Sequence, residues 1–169
     1  MPRVMFVKKA RKDQSEEIKK GDSYYWWKFR YGGRHVSKTH PKPSQLTQSP
    51  FLSGMMECEE RIGNLSTGDS VDNLRGEIES IAEDLRALGE EQTSSKDNMP
   101  EGLQEGPTGE LLSNRAEACE EMADQLDGID FDLDIEGPGE NSSEEETAEY
   151  EERLQQIVDE AQGVSYGGD

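Results

Sequence analysis

Residues 24–39 read Tyr24-Tyr25-Trp26-Trp27-Lys28-Phe29-Arg30-Tyr31-Gly32-Gly33-Arg34-His35-Val36-Ser37-Lys38-Thr39 and contain both tryptophans of the chain. Two runs rich in aromatic and β-branched residues flank Gly32-Gly33, a dipeptide that accepts the positive φ angles of a two-residue hairpin turn. The pattern therefore predicts a β-hairpin. With a two-residue turn, Tyr31 would lie opposite Arg34, Phe29 opposite Val36, and Trp27 opposite Lys38, all on one face. The other face would carry Trp26, Lys28, Arg30, His35, Ser37 and Thr39.

An isolated two-stranded hairpin is only marginally stable in water, so this one needs a cover. A short segment of residues that favour strands, residues 3–9, is expected to add a first strand. Pro41-Lys42-Pro43 breaks the hairpin and precedes an apolar segment that is expected to form a covering helix. The apolar residues of this segment are Leu46, Phe51, Leu52, Met55, Met56 and Ile62.

The chain has a net charge of −20, but its two parts have opposite signs. Residues 1–50 contain 12 Lys and Arg against 4 Asp and Glu, which gives +8, and residues 51–169 contain 6 against 34, which gives −28. Only 31% of the residues are apolar, so the chain cannot bury one large core. We expect a basic hairpin module over residues 1–65, an acidic helical module over residues 66–164, and a flexible tail over residues 165–169.

Beyond residue 65 the apolar residues recur with helical spacing, which predicts helices over about residues 70–89, 108–127 and 143–162. Gly89 is expected to end the first of these helices, and Ser143 with Glu146 is expected to form a capping box that opens the third. Residues 90–107 are expected to form a linker with one docked turn. The predicted apolar stripes are Val71, Leu74, Ile78, Ile81, Leu85 and Leu88; Leu112, Ala116, Cys119, Met122, Leu126 and Ile129; and Thr147, Tyr150, Leu154, Ile157, Ala161 and Val164. The predicted fold class is α+β: a small antiparallel β-sheet with a covering helix, followed by acidic amphipathic helices in a bundle or short coiled coil.

Residues 129–136 alternate between apolar and acidic side chains, which predicts an edge strand. The spacing of Asp132, Asp134 and Glu136 also matches the opening of a calcium-binding EF-hand loop. The closing bidentate carboxylate of such a loop would fall at Ser143, which has no carboxylate. We therefore do not predict a calcium site.

The cysteines and histidines lack the spacing of a metal or catalytic site. Cys58 and Cys119 belong to no CxxC or Cys/His pattern and are expected to be reduced thiols, and His35 and His40 have no second ligand for zinc. Without a nucleophile motif or a glycine-rich phosphate loop, we expect no enzyme activity and no cofactor. Since the sequence has neither a run of 18 apolar residues nor a signal-peptide pattern, we expect a cytoplasmic protein without membrane contact, in the bacterial host if it is phage-encoded.

The combination of aromatic rings with Lys and Arg suits nucleic acid, because phosphates attract cations and bases stack on flat rings. The candidate nucleic-acid-binding residues are Lys8, Lys9, Arg11, Lys12, Trp26, Lys28, Arg30, Arg34, His35 and Lys38. The alternative is purely structural, with the rings as the core of the sheet and the cations as its solvated face. Both interpretations hold together if one face is buried and the other is free.

Two blocks of sequence carry a resemblance to a known family. The first block consists of Phe6-Val7-Lys8-Lys9-Ala10-Arg11-Lys12, Lys20-Gly21-Asp22-Ser23-Tyr24-Tyr25-Trp26-Trp27-Lys28-Phe29-Arg30-Tyr31-Gly32-Gly33, Ser37-Lys38-Thr39 and Ser44-Gln45-Leu46-Thr47-Gln48-Ser49. The second consists of Asn98-Met99-Pro100-Glu101-Gly102-Leu103-Gln104, Thr108-Gly109-Glu110-Leu111-Leu112 and Arg115-Ala116-Glu117-Ala118-Cys119-Glu120. Together they resemble a family of uncharacterised phage and bacterial proteins. The resemblance implies a phage-type origin and no particular activity.

The hairpin by itself, with an aromatic strand, a Gly-containing turn and a Ser-Lys-Thr strand, is similar to the arm-binding domain of phage integrases. That domain is a three-stranded sheet with one helix and reads DNA through the sheet. The resemblance implies DNA contacts at Lys28, Arg30, Arg34 and Lys38. We recognise no recombinase catalytic domain in the rest of the sequence, so no recombination role is expected.

These observations lead to a hypothesis of a non-enzymatic nucleic-acid-associated or adaptor protein. The basic hairpin would bind DNA or RNA, and the acidic helices would associate with each other between copies or recruit a host or phage protein. One alternative is an acidic nucleic-acid mimic that inhibits a host nucleic-acid-binding protein. Another is a virion or scaffold component that assembles through its helical stripes.

Overall fold

The computed structural model describes residues 1–68, 70–132 and 143–167. It confirms the α+β class. The strands are β1 (Met5–Val7), β2 (Tyr24–Lys28) and β3 (Arg34–Ser37), and a 3-10 helix over Pro43–Leu46 follows them. The helices are α1 (Pro50–Gly63), α2 (Val71–Asp97), α3 (Glu101–Gln104), α4 (Pro107–Asp127) and α5 (Glu144–Gly163). The chain divides into an N-terminal unit, Met1–Met56, and a C-terminal unit, Glu57–Asp169, with the boundary inside α1.

The N-terminal unit contains a three-stranded antiparallel sheet in the order β1-β2-β3. Met5 lies opposite Trp26, and Val7 lies opposite Tyr24, so the predicted first strand and the hairpin are both confirmed. Phe51 of α1 is buried within this unit, as is expected for an apolar residue of the segment after Pro43.

The register predicted for the hairpin was wrong. Trp26 lies opposite Val36, Trp27 opposite His35, and Lys28 opposite Arg34, which is three positions away from the predicted pairing. The turn is a five-residue connection over residues 29–33 and not a two-residue turn. Gly32 and Gly33 do not adopt positive φ angles, and among the described residues only Gly21 does, with φ of 105°. A primed hairpin turn needs those angles, so the glycines indicated the turn without determining its length.

The connection between β1 and β2 covers one face of the sheet. Ala10 and Ile18 form a buried cluster with Tyr24, and half-buried Val7, Trp26 and Val36 pack against it. The connection folds back on itself, because the Ala10 N–H donates to the Asp22 carbonyl at 2.7 Å and the Gly21 N–H donates to the Ala10 carbonyl at 2.9 Å. The sequence shows no apolar period over residues 11–23, so this cover was not predicted.

In the C-terminal unit, α2 and α4 pack as an antiparallel pair. Arg86 of α2 donates to Asp127 at 2.6 Å, and Lys96, further along α2, donates to Ser113 at 2.6 Å. A later residue of α2 therefore contacts an earlier residue of α4, so the two helices are antiparallel. The predicted stripes face the core, with Ile78 and Ile81 of α2 and Leu126 of α4 all fully buried.

The predicted end of the first long helix at Gly89 was wrong, because α2 continues to Asp97. Gly89 is buried at a close approach of the two helices. A Cβ atom there would lie 3.2 Å from Cys119 Cβ and 3.3 Å from the Ala116 carbonyl oxygen. Glycine costs about 1 kcal/mol inside a helix, and the close packing offsets this cost. The docked turn predicted between residues 90 and 107 is confirmed as α3, and α4 begins at Pro107 close to the predicted position.

The capping box at the start of α5 is confirmed. The Ser143 N–H and hydroxyl donate to Glu146 at 2.8 and 3.0 Å, and the Glu146 N–H donates back to the Ser143 hydroxyl at 3.2 Å. At the other end of α5, the Gln162 side chain donates to the Leu65 carbonyl at 3.3 Å. Residues 129–132 do not form the predicted strand, and the rest of that segment, including Asp134 and Glu136, lies outside the described residues.

Cys58 and Cys119 are both buried free thiols of the C-terminal unit. Burial raises the pKa of each thiol to about 11. They are therefore protonated near neutral pH, and their packing is that of small apolar side chains. Within the described ranges, no helix has a stretch both long and apolar enough to cross a bilayer.

Two glycines of the C-terminal unit offer opposite tests of the helix packing. A Cβ atom on Gly109 would overlap the Gln104 carbonyl oxygen, whereas one on Gly76, an exposed residue in the middle of α2, would meet nothing within 4 Å. We expect Gly109→Ala to lower the free energy of unfolding by about 1 to 3 kcal/mol through overpacking. We expect Gly76→Ala to raise it by up to about 1 kcal/mol through helix propensity. Urea unfolding followed by far-UV circular dichroism measures both, and equal effects of the two substitutions would contradict the packing of α4 on the α3 turn.

The capping box makes the stability of α5 depend on pH. Hydrogen bonds from the Ser143 N–H and hydroxyl lower the pKa of the Glu146 carboxyl. A lowered native pKa contributes stability above the unfolded pKa, and this contribution is lost as the pH falls through the native pKa. We therefore expect Glu146→Gln to lower the thermal midpoint at pH 7 and to have little effect at pH 3. Glu149→Gln, outside the box, serves as the control, and an identical pH profile for the two variants would contradict the capping box.

Candidate nucleic-acid interface

The N-terminal unit contains 12 Lys and Arg against 4 Asp and Glu, a net charge of +8. The candidate cations are all exposed: Lys8, Lys9, Arg11, Lys12, Lys28, Arg30, Arg34 and Lys38. Within residues 1–68, 70–132 and 143–167, none of these eight forms an ion pair. The carboxylates of the described residues therefore do not pair with these cations or neutralise their charge.

In the C-terminal unit, by contrast, two arginines form ion pairs with carboxylates. Arg61 donates to Glu77 at 2.8 Å and also pairs with Asp84, and the hydrogen bond to Glu77 raises the pKa of its guanidinium. Arg86 pairs with Asp124 at 3.1 Å and with Asp127 at 2.6 Å. Arg61 and Arg86 thus link neighbouring helices by ion pairs, whereas the candidate cations of the sheet form no such pairs with the described residues.

Arg34 is held on the sheet by two aromatic rings. Its guanidinium carbon lies 4.7 Å from the Trp26 ring centroid and 5.7 Å from the Tyr24 ring centroid, and its Nη2 donates to the Tyr24 hydroxyl at 2.9 Å. Such cation–π contacts fix the planar guanidinium and leave other donors of the group for a ligand. Arg34 is therefore oriented without losing its charge.

Lys28 lies directly opposite Arg34 in the β2–β3 ladder, so two cations share one face of the sheet as cross-strand neighbours. Like charges in this position are destabilising. A local conflict of this kind, with no described carboxylate to relieve it, is typical of a functional surface that a ligand neutralises.

The corrected register separates His35 from the residues that were predicted to share its face. His35 lies opposite Trp27, with ring centroids 5.4 Å apart and nearly parallel planes, and so occupies the face away from Trp26, Lys28 and Arg34. Trp27 is buried, and its indole Nε1 has no hydrogen-bond partner among the described residues. Trp26 is half-buried: it packs against the cluster of Ala10, Ile18 and Tyr24, and the Arg34 guanidinium stacks on its ring.

Other exposed aromatic rings lie at the margins of the sheet. The Phe6 ring of β1 is 57% exposed, and its centroid lies 5.0 Å from that of Tyr25. Tyr31, in the connection between β2 and β3, is 83% exposed, and the Arg30 guanidinium lies 5.3 Å from its ring centroid. The sequence pattern indicated these rings, but it did not separate the exposed ones from the buried ones.

Six of the eight candidate cations form two groups at opposite ends of the sheet. β1 and β3 are both antiparallel to β2, so their last residues, Val7 and Ser37, lie at the same end. Lys8, Lys9 and Lys38 follow those residues directly, whereas Lys28, Arg30 and Arg34 lie at the other end. The five residues of β2 separate the two groups by roughly 13 Å, at about 3.3 Å per residue. The structure thus places six of the candidate cations along the length of one strand.

A groove of about 570 Å³ lies beside the second group of cations, and sequence reasoning did not find it. Its walls include the apolar side chains of Phe29, Leu46, Leu52 and Met56, and Lys28 and Arg30 also line it. No local pattern signals this groove, because it forms only where residues 1–2, 28–30 and 46–56 meet in the fold.

In the described ranges, His, Cys, Asp and Glu form no group of three that could hold a metal ion. Comparisons with protein-family models, with curated proteins and with solved structures find no match to this chain.

The contact between Arg34 and the two rings can be tested in isolation. Arg34→Lys keeps the charge but loses the planar stacking and the hydrogen bond to Tyr24. We expect the free energy of unfolding of the N-terminal unit to fall by about 0.5 to 1 kcal/mol. Both tryptophans lie in this unit, so urea unfolding followed by tryptophan fluorescence reports on it. The control is Arg11→Lys, an exposed arginine that has no cation–π contact among the described residues, and a loss of the same size in the control would contradict the assignment.

Proposed function

We propose that this protein is a non-enzymatic, phage-type nucleic-acid-associated adaptor whose N-terminal sheet binds nucleic acid. The observation that carries the proposal is the pair of unneutralised cations, Lys28 and Arg34, opposite each other beside the half-exposed Trp26. Phosphates would relieve the repulsion between the two cations, and the ring beside them can contact a sugar or a base.

The acidic helices would mediate self-association or recruit a protein partner. Support comes from two large apolar side chains that the C-terminal unit leaves in water, Leu103 of α3 (55% exposed) and Leu111 of α4 (43% exposed). They lie on consecutive elements that pack together. Exposed leucines in a strongly acidic surface are suited to a contact with another protein.

The binding proposal predicts a loss that depends on which cations are removed. We expect Lys28→Gln/Arg34→Gln in the full chain to weaken binding to fluorescently labelled oligonucleotides at least tenfold. The slope of log K against log[salt] should fall by about 1.4 to 1.8, since each phosphate contact contributes about 0.7 to 0.9. Fluorescence anisotropy at several salt concentrations gives both quantities.

Lys19→Gln/Lys20→Gln is the matched control, because it removes the same charge from exposed positions of the N-terminal unit outside the candidate set. We expect this control to lose less than threefold. Equal losses in the two double variants would show that binding does not involve the proposed face. No salt-dependent binding by the unsubstituted chain would overturn the proposal.

A second function, that of a nucleic-acid mimic, is favoured by the exposure of the acidic side chains. In the described part of the C-terminal unit, every Asp and Glu except Glu60 is classed as exposed. A dense array of exposed carboxylates can occupy the basic site of a nucleic-acid-binding protein. Capture of such a protein from host lysate, unchanged by Lys28→Gln/Arg34→Gln and abolished by high salt, would support the mimic over the adaptor.

A further inference from the structure

The groove beside Lys28 and Arg30 combines three kinds of surface within the N-terminal unit. Phe29 contributes an aromatic ring, Leu46 and Leu52 contribute aliphatic walls, and Gln48 contributes an amide that can both donate and accept hydrogen bonds. Its volume of about 570 Å³ lies within the range of roughly 300–1,000 Å³ that is usual for sites of small ligands. The groove is large enough for a ring system with a polar edge.

The positive charge beside the groove favours a ligand that carries a negative group. Lys28 and Arg30 both line it, both are exposed, and neither forms an ion pair with a described carboxylate. The ligand that complements these features has a flat apolar ring, hydrogen-bonding groups on the edge of the ring, and a negative group attached to it. A nucleotide has all three.

The β2–β3 connection forms one side of this groove and is held close to the opposite side. A Cβ atom on Gly32 would lie 3.3 Å from Gln48 Nε2 and 3.3 Å from Phe29 Cβ. Phe29 and Gln48 therefore both lie close to Gly32, and a side chain at this position would crowd both of them. An aromatic ring and an amide in this arrangement are the elements with which proteins bind bases that are not stacked in a duplex.

From this arrangement we infer that the groove binds an unstacked base of single-stranded nucleic acid, with the adjoining phosphates on Lys28 and Arg30. The inference rests on the proposed function and deepens it, because it names the form of nucleic acid and the place of one base. In a duplex the bases are stacked and paired, and none can enter the groove without being extruded.

The test compares three probes with the full chain by fluorescence anisotropy: a single-stranded dT12, a 12-base-pair duplex, and a single strand of the same length with abasic sites. The abasic strand keeps the phosphates and lacks the bases. We expect the dT12 strand to bind at least tenfold more tightly than either of the other probes, which is within the range measured for base–aromatic stacking.

Two variants locate the base. Gln48→Glu places a negative charge in the groove, and Gln45→Glu makes the same change at an exposed position that does not line it. We expect Gln48→Glu to abolish the preference for dT12 over the abasic strand and Gln45→Glu to retain it. Leu52→Trp, which fills the groove, should have the same effect as Gln48→Glu. Leu52 is half-buried, so this larger substitution can prevent folding, whereas Gln48 is exposed. If Leu52→Trp does not fold, the result with Gln48→Glu alone tests the inference.

The other outcomes separate this inference from the proposed function. Salt-dependent binding of all three probes with equal affinity would overturn the inference and leave the proposed function standing. A preference for dT12 that survives Gln48→Glu would place the base elsewhere, for example on the exposed Phe6 ring, and would also overturn the inference. No salt-dependent binding of any probe would overturn both.

Discussion

In the N-terminal unit, the pairing of β2 with β3 decides which side chains share a face, and the candidate interface depends on it. The observed register places Lys28 opposite Arg34 and brings Trp26 to the same face. Side chains alternate along a strand, so a shift by an odd number of positions exchanges the faces of one strand relative to the other. With the register predicted from a two-residue turn, Arg34 would have shared a face with buried Trp27, and His35 would have joined Lys28.

The cation–π contact of Arg34 is a consequence of this register. Because Tyr24 and Trp26 are on the same face as Arg34, both rings lie within reach of its guanidinium. Arginine suits this position better than lysine does, since its planar group stacks on a ring while its remaining donors point elsewhere. The contact of Arg34 with the two rings partly offsets its repulsion from Lys28. The unit can therefore retain both cations, although no carboxylate of the described residues pairs with them.

Features that depend on local sequence could be predicted, and features that depend on packing could not. The helical stripes, the capping box at Ser143 and the existence of the hairpin follow from periodicity and from side-chain chemistry within a few residues. The continuation of α2 past Gly89 could not be foreseen, because it depends on the close approach of Ala116 and Cys119 from another helix. The cover of the sheet by Ala10 and Ile18 has no periodic signal, since two apolar residues in a polar connection are enough to form it.

The same distinction applies to the candidate site. Composition identified the cations and the aromatic rings, because an excess of positive charge beside exposed rings is visible without a fold. It could not identify the groove, whose walls come from residues 1–2, 28–30 and 46–56 and meet only in three dimensions. Under the proposed function, the groove is also the feature that would distinguish one form of nucleic acid from another, because phosphates are common to duplex and single strand, whereas a free base edge is not. In the proposed function, charge would attract a polyanion to the sheet, and the shape of the groove next to Lys28 and Arg30 would select among polyanions.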